Sequence, residues 1–481
     1  FYFFKRKRHL SFGKIMVIKP NTKEGVTIMI TKKDTFAQLP KELERRFSEL
    51  NIGKHLRKAR ITKGFGYSCL SIFRLIFLLV FQYKNWFQAL QSKKAVDLPK
   101  KDTIYRFLNS STYAWRTFLL SLCQDLTGRI KKLTSNNRVK VFIVDDSLFS
   151  RNRSKSVELL SRVFDHTEKR FYKGFQLLTL GWSDGYSFLP VDFALLSSAK
   201  KENQLNGVDE SIDKRTSGYK RRLEAQQDKP SVVSALLDHA LNAGITADYV
   251  LMDTWFTHEP LIEKITDKGL FVIGMVKQLK QRYFIDGEAH TLDELFKKAK
   301  RTMEKKDLLG SIHVHLAKGR QVKIVFVRNR NKKSEWLTIL STDTTLSDEE
   351  IVRIYGMRWD IETFFKCTKS LLNLAKEFQG RSYDLLISHT TIVFTRFILL
   401  EWERRQNNDP KTIGNLFFLL CEDVKDMNLE SALNQLLAIF QTLAEANVCL
   451  NMELFKSKVQ EWIASLPNYI KGCLTISVCE S

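Results

Sequence analysis

No cysteine in this chain sits in a CxxC pair. The seven, Cys69, Cys123, Cys367, Cys421, Cys449, Cys473 and Cys479, are odd in number and scattered, which argues against both a zinc site and a disulfide framework and for a reducing compartment. Cys367 lies in an acidic helical stretch, where a lone thiol reads as packing. A GxxxxGK[ST] phosphate loop is also missing, so a nucleotide triphosphatase is disfavoured. Long apolar runs are short of a membrane span: Cys69 to Phe81 is interrupted by Arg74 and falls below the ~20 residues a crossing helix needs, so a buried helix is expected there. The opening FYFFKRKRH lacks the apolar core and small-residue cleavage site of a signal peptide. The first methionine is Met16, so residues 1–15 read as a candidate non-native extension or the remnant of a cut N-terminus.

What is abundant is positive charge. Lys+Arg number 77 against 53 Asp+Glu, a net +24 with a pI near 9.6. From Glu401 onward there are 11 acidic and 7 basic residues, so the excess lies in residues 1–400. A polyanion is the expected partner, bound in a salt-sensitive way. Charge alone fits an RNA-binding or structural basic protein equally well. The acidic-tending tail, with helical tracts such as LESALNQLLAIFQTLAEAN, suits core packing or a partner helix instead. A length of 481 residues allows two to three domains.

Two aspartate positions break apolar strands. In VKVFIVDDSLFS, the β-branched run stops at Asp145 and Asp146; in ITADYVLMDTWF, Tyr249 to Met252 run into Asp253. Such runs read as strands buried on both faces, whose ends deliver side chains to a site. Between them, KGFQLLTLGWSDGYSFLPVDFALL reads as a hairpin turning at Asp184-Gly185. PSVVSALLDHALNAG and THEPLIEKITDKG read as helices on either side of the second strand. Further on, Tyr355, Arg358, Glu362 and Lys369 fall within an arc of about 60° if one helix carries them. Taken alone, Arg358 and Glu362 are an i,i+4 pair common on solvated helices. Joined to two strand-end aspartates, the helical glutamate completes a set that suits two divalent metals at a scissile phosphate. Arg358 and Lys369 would then hold phosphates, Arg bidentately.

The spacing of 3, 4 and 7 residues from Tyr355 through Arg358 and Glu362 to Lys369, the Asp146-Ser147 pair, Asp253 followed by Trp255, and the segment HTEKRFYKGFQLLTLGWSDGYSFLPVDFALLSSAKK resemble DDE transposases of the insertion-sequence-4 type. The resemblance covers roughly residues 60 to 400. It implies an α/β fold: a ribonuclease H-like mixed sheet with helices, interrupted by a β-rich insertion, plus helical N- and C-terminal regions. It implies catalytic and metal-holding roles for Asp146, Asp253 and Glu362, with two Mg2+ ions for which Mn2+ substitutes. Tyr355, Arg358, Lys369 and Trp255 would contact DNA, Trp255 by stacking on a displaced base, although an aromatic after a strand is more often core. Asp145 would point to the opposite strand face, and a register slip of one residue reverses the assignment. His166 and Lys173 would approach DNA or cap the hairpin. Cleavage at transposon ends followed by strand transfer, often through a hairpin intermediate, would take place on double-stranded DNA (terminal inverted repeats and target) in a homodimer, in a prokaryotic, nucleoid-associated cytoplasmic setting with no membrane. A nuclease of the same fold without strand transfer, and an inactive transposon-derived repressor, remain the competing descriptions.

The expected organisation is a helical basic DNA-binding region over 1–135, the first part of the core over 136–275, the β-rich insertion over 276–345, the core's acidic helix over 346–400, and a helical C-terminal region over 401–481. The two gaps, 107 residues from Asp146 to Asp253 and 109 from Asp253 to Glu362, leave room for the insertion. SIHVHLA, RQVKIVFVRN and SEWLTILST are its candidate strands, with a separate small β domain as the alternative. In the first region, SCLSIFRLIFLLVFQYKNWFQAL and KDTIYRFLNSSTYAWRTFLLSLCQDL allow a helix-turn-helix-like pair.

Overall fold

The structure, a computed structural model, describes residues 14–17, 28–31, 38–92, 98–135, 137–165, 168–198, 200–278, 281–299, 307–329, 332, 335–406, 411–445 and 452–466. The chain divides into two units, Phe1–Gly53 with Thr62–Phe107 and Asn415–Ser481, and Lys54–Ile61 with Leu108–Gly414. Its N-terminal elements are the antiparallel pair β1 (Lys14–Val17) and β2 (Ile28–Thr31), then α1 (Lys41–Glu49), α2 (Ile52–Lys58), α3 (Cys69–Leu78), α4 (Trp86–Leu90), α5 (Lys101–Leu108) and α6 (Trp115–Leu133). In the first unit, Phe47 of α1 packs edge-on against Phe73 and Phe77 of α3. Ser68 starts α3 by accepting the Ser71 N–H at 3.0 Å, and the helix is buried along most of its length, as its composition predicts. The two expected long helices are each broken. Tyr83, at φ +53, ends the first before an Asn85–Gln88 capping box starts α4, and the polar run Asn109 to Thr112 separates α5 from α6.

The second unit is mixed α/β and is built on one large sheet. Its elements continue with β3 (Val141–Ser150), β4 (Ser161–Asp165), β5 (Arg170–Ser183), β6 (Phe188–Leu196), α7 (Ser217–Glu224), α8 (Lys229–Asn242), β7 (Tyr249–Met252), α9 (Glu259–Thr266) and β8 (Phe271–Val276). Then come β9 (Tyr283–Ile285), β10 (Glu288–His290), α10 (Leu292–Lys298), β11 (Leu308–His315), β12 (Gln321–Arg328), β13 (Trp336–Ser341), α11 (Asp348–Gly356), α12 (Trp359–Ser370) and α13 (Tyr383–Gln406). The C-terminal helices, α14 (Ile413–Glu445) and α15 (Met452–Ser465), belong to the first unit from Asn415 onward. The sheet runs β10-β9-β11-β12-β13-β8-β7-β3-β5-β4, with β6 also on β5. β3, β7 and β8 are mutually parallel, and the other pairs are antiparallel. Buried Val141 to Val144 make β3 a central strand. The β5–β6 hairpin forms as its sequence predicts: Asp184 accepts the Tyr186 and Ser187 N–H groups, and Gly185 takes φ +81. Asp228 caps α8, with Pro230 in its first turn.

One alternative falls here, that of a separate small β domain, and one expectation changes, that of a single helix from Tyr355 to Lys369. The strands around Lys318 do not form a separate sheet: β13 pairs with β8, Thr338 opposite Val276, so β9 to β13 prolong the central sheet from an edge β8 would otherwise expose. The segment from Tyr355 to Lys369 is not one helix. Met357 N–H bonds Ile354 O and Arg358 N–H bonds Tyr355 O, both i to i−3, so the chain tightens and turns between α11 and α12. Among the described residues one helix is long and apolar enough to cross a membrane, α13, and that stretch is buried inside the fold. It packs on β6, α6 and α12, so its apolarity is that of a core helix. Among the described residues Cys69, Cys123, Cys367 and Cys421 form no disulfide; the other three cysteines lie outside the described residues, as does His166.

Candidate active site

Pairing of β3 with β7 runs in register from Val141 opposite Tyr249 to Val144 opposite Met252. One step further along both strands sets Asp145 beside Asp253. Because side chains alternate along a strand, Asp145 and Ser147 share one face and Asp146 takes the other. Asp253 is fixed in its turn by accepting the N–H groups of Trp255 at 2.9 Å and Phe256 at 3.2 Å.

Helix α12 lies against the face that carries Asp145 and Ser147. Arg358, at its start, donates from Nη1 to Asp145 Oδ2 at 2.9 Å and from Nη2 to Glu362 Oε1 at 3.0 Å. One planar guanidinium thus spans two carboxylates. Two turns along, Lys369 Nζ donates to Ser147 Oγ at 2.5 Å. On the other face, Lys229 at the start of α8 donates to Asp146 Oδ2 at 2.8 Å and lies 4.3 Å from the centre of the half-exposed Trp255 ring.

Burial pushes the Asp145 carboxyl up to about 7; Arg358 pulls it back, and Asp253, Glu362 and Asp146 push it further up. Burial likewise pushes the Tyr355 hydroxyl up to about 12, with Arg358 opposing and Asp253 and Asp145 adding. Burial lowers the Lys369 ammonium, against the pull of Asp165 and Glu362. The site is therefore a carboxylate within β3, where the strand runs on to Ser150 and does not stop at Asp145 as expected, another just past the end of β7 and a helical glutamate, with a phenol and two cations among them.

The predicted residues fall into two groups. Asp253, Glu362, Tyr355 and Arg358 gather around Asp145, with Lys369 beside Ser147. Asp146 and Trp255 meet Lys229 instead. Lys229 was not legible as a site residue, because nothing in the Asp228-Lys229-Pro230 run marks it apart from a helix start. Among the described residues no three Asp, Glu, His or Cys side chains converge closely enough to hold an ion as they stand. The donor chemistry nevertheless suits a hard divalent cation: Asp145, Asp253 and Glu362 are oxygen ligands that repel one another, and a positive group, Arg358, already bridges two of them.

Residues 92–294 match a family model described as "DDE superfamily endonuclease", and residues 224–386 match one described as "Transposase DDE domain". This chain is similar to DDE transposase domains. The first match contains Asp145, Asp146 and Asp253, and the second contains Asp253 and Glu362. A curated relative, "Transposase for insertion sequence element IS1151" of Clostridium perfringens, is 26% identical over 187 residues, covering 36% of this chain and 36% of the relative. The chain thus spans about a third of that relative's length.

Proposed function

We propose that this chain is a DNA transposase of the insertion-sequence-4 type with a ribonuclease H-like core, acting on transposon ends and target DNA as a homodimer. The observation that carries the proposal is the register of β3 and β7, which sets two aspartates side by side within reach of a glutamate on α12. The order β6-β5-β3-β7-β8, antiparallel and then parallel, supports the core assignment. Asp145, Asp253 and Glu362 are the residues that would hold two Mg2+ ions, or Mn2+ in their place. Asp145 takes the place that the Asp-Ser order gave to Asp146, because Asp146 faces α8 and is paired to Lys229. Bound there, the metals would supply Lewis-acid polarisation of the scissile phosphate and acidify the attacking water.

The chain's own residues do the positioning. Arg358 offers two parallel N–H donors, a match for a phosphate as well as for carboxylates. Lys369, held by Ser147, is a second fixed cation on the same face. Burial holds the Tyr355 hydroxyl above its usual range, which suits it to donate a hydrogen bond. In the first reaction water adds to phosphorus at the element's end and the P–O3′ bond breaks, freeing a 3′-hydroxyl. In the second that hydroxyl adds to a target phosphorus and the target's P–O3′ bond breaks.

The test is cleavage of a labelled duplex carrying the element's end with Mg2+ or Mn2+, comparing wild type with Glu362→Ala and scoring joined products separately. Loss of cutting with DNA binding retained supports the proposal. Cutting by Glu362→Ala at the wild-type rate removes the acidic set as the active site, and cutting without joined products leaves a nuclease.

A further inference from the structure

The second unit carries a basic groove that the acidic site does not use. It lies between α2 and the C-terminal half of α6, has a volume of about 680 Å³, and is lined by Lys54, Arg57, Lys58, Arg129 and Lys132 around Gln124 and Gly128. The α6 contributors, from Ser121 through Gln124, Asp125, Gly128 and Arg129 to Lys132, recur at helical spacing and form a stripe about 16 Å long at 1.5 Å per residue. That length matches roughly five steps of duplex DNA at 3.4 Å each. A second cavity continues it across Gln124 and Gly128 and adds Lys131, Arg138 and Lys140. Gly128 has open space where a side chain would stand.

The charges in this groove are poorly explained by the fold itself. Its one acid, Asp125, is taken by Arg129 at 2.7 Å. Lys54, Arg57, Lys58 and Lys132 have no acidic partner among the described residues. Cations near a helix C-terminus favour the helix dipole, which accounts for Lys58 and Lys132, but Lys54 stands in the first turn of α2, where a cation is disfavoured, and it repels Lys58 at i+4. On the groove wall, His55 is buried, with Nδ1 on Ser121 Oγ at 2.8 Å and Nε2 lacking any hydrogen-bond partner. Like charges gathered without counter-charge are stabilised by an external polyanion.

We propose that this groove binds the sugar-phosphate backbone of duplex DNA, at a place separate from the acidic site. The proposal rests on the reading that the protein acts on DNA. Lys140 immediately precedes β3 and Asp145 lies five residues on, about 17 Å at 3.3 Å per residue, so the grooves sit toward the amino end of β3 and the acids toward its middle. DNA held here is duplex flanking the cut, not the scissile phosphate.

The experiment measures binding of the full-length protein to a labelled duplex of roughly 40 base pairs between about 50 and about 300 mM KCl, where the number of neutralised phosphates sets the slope of log affinity against log salt. With Lys54, Arg57, Lys58 and Lys132 all changed to Ala, the slope should fall by about 3 to 4, at about 0.9 for each phosphate no longer neutralised. Affinity at low salt should drop more than about tenfold. A variant with Lys54→Arg, Lys58→Arg and Lys132→Arg should keep the wild-type slope, which separates removal of charge from failure to fold. If the four-alanine variant keeps the wild-type slope while wild type binds and cuts, the groove proposal alone is overturned. If wild type shows no salt-dependent DNA binding, the DNA reading falls with it. Tighter, equally groove-dependent binding of single-stranded RNA would overturn the assignment to duplex.

Discussion

Asp145, midway along β3, and Asp253, just past the end of the parallel β7, lie one register step beyond the Val144–Met252 pair. That step separates Asp145 from its neighbour Asp146, the residue that the Asp-Ser order favours. Asp145→Asn is expected to lower metal-dependent cleavage by about 10³-fold, or about 4 kcal/mol of transition-state stabilisation. Asp146→Asn, which removes only a partner of Lys229, should cost less than about tenfold. Measuring both rates at saturating DNA decides between them. Equal losses would mean that both faces of β3 serve the reaction.

A site built from repelling carboxylates should weaken the fold that carries it. The Asp145 carboxyl is raised from 3.8 to about 7, so the folded protein favours its neutral form. The resulting penalty is absent below about pH 4, grows as pH rises toward 7 and is complete above it. Asp145→Asn should therefore stabilise the metal-free protein at pH 8 by about 1–2 kcal/mol, less than the full linkage value of about 4 because Arg358 loses a charged partner. At pH 4 the gain should vanish. Urea unfolding in EDTA at both pH values checks the sign.

Much of the scaffold was legible because its signals are local. The β-branched run before Asp145, the Asp184-Gly185 turn and the helical tract PSVVSALLDHALNAG each act within a few residues, and β3, the β5–β6 hairpin and α8 form there, although β3 runs on past Asp145 to Ser150. The choice between Asp145 and Asp146 was not legible, since it depends on pairing with a strand about a hundred residues away, and a one-step change of register exchanges the faces. The turn at Met357 escaped for another reason. Met357 and Arg358 retain helical dihedrals while their hydrogen bonds shorten to i−3, a change that leaves the apolar periodicity almost intact. β9 to β13 were visible as strands, but their attachment to β8 depends on an edge that no local pattern marks.

Arg358 joins Asp145 to Glu362 through two different nitrogens, a geometry that a lysine cannot copy. Arg358→Lys keeps the charge and should leave DNA affinity within about threefold. Its turnover should fall by roughly 10- to 100-fold, a loss of about 1.4–2.8 kcal/mol at 1.4 per tenfold, because the fork that orders both acids is gone. Single-turnover cleavage alongside equilibrium binding separates the two effects. A matching loss in affinity would show that charge, not shape, is what the site takes from this residue.

Behind the site, on β6, Asp192 is fully buried and shared by Arg116 at 2.7 Å and His239 at 3.0 Å, while Arg116 also holds Glu224 at 2.8 Å. Burial pushes the Asp192 carboxyl up, but Arg116, His239 and Arg221 more than offset it and hold it at about 2. Asp192→Asn leaves the partly buried Arg116 with half its counter-charge and should destabilise the protein by about 2–4 kcal/mol at pH 7, toward the lower end of what breaking a buried pair costs. Since the folded-state value lies below the unfolded one, the stabilisation from this carboxylate is complete above about pH 4 and is lost as pH falls through 2. The gap in urea midpoint between wild type and Asp192→Asn should therefore be constant from pH 7 to about 4 and narrow toward pH 2. A gap that stays constant down to pH 2 would mean that Asp192 holds α6 and α8 against β6 by the shape of its hydrogen bonds and not by its charge.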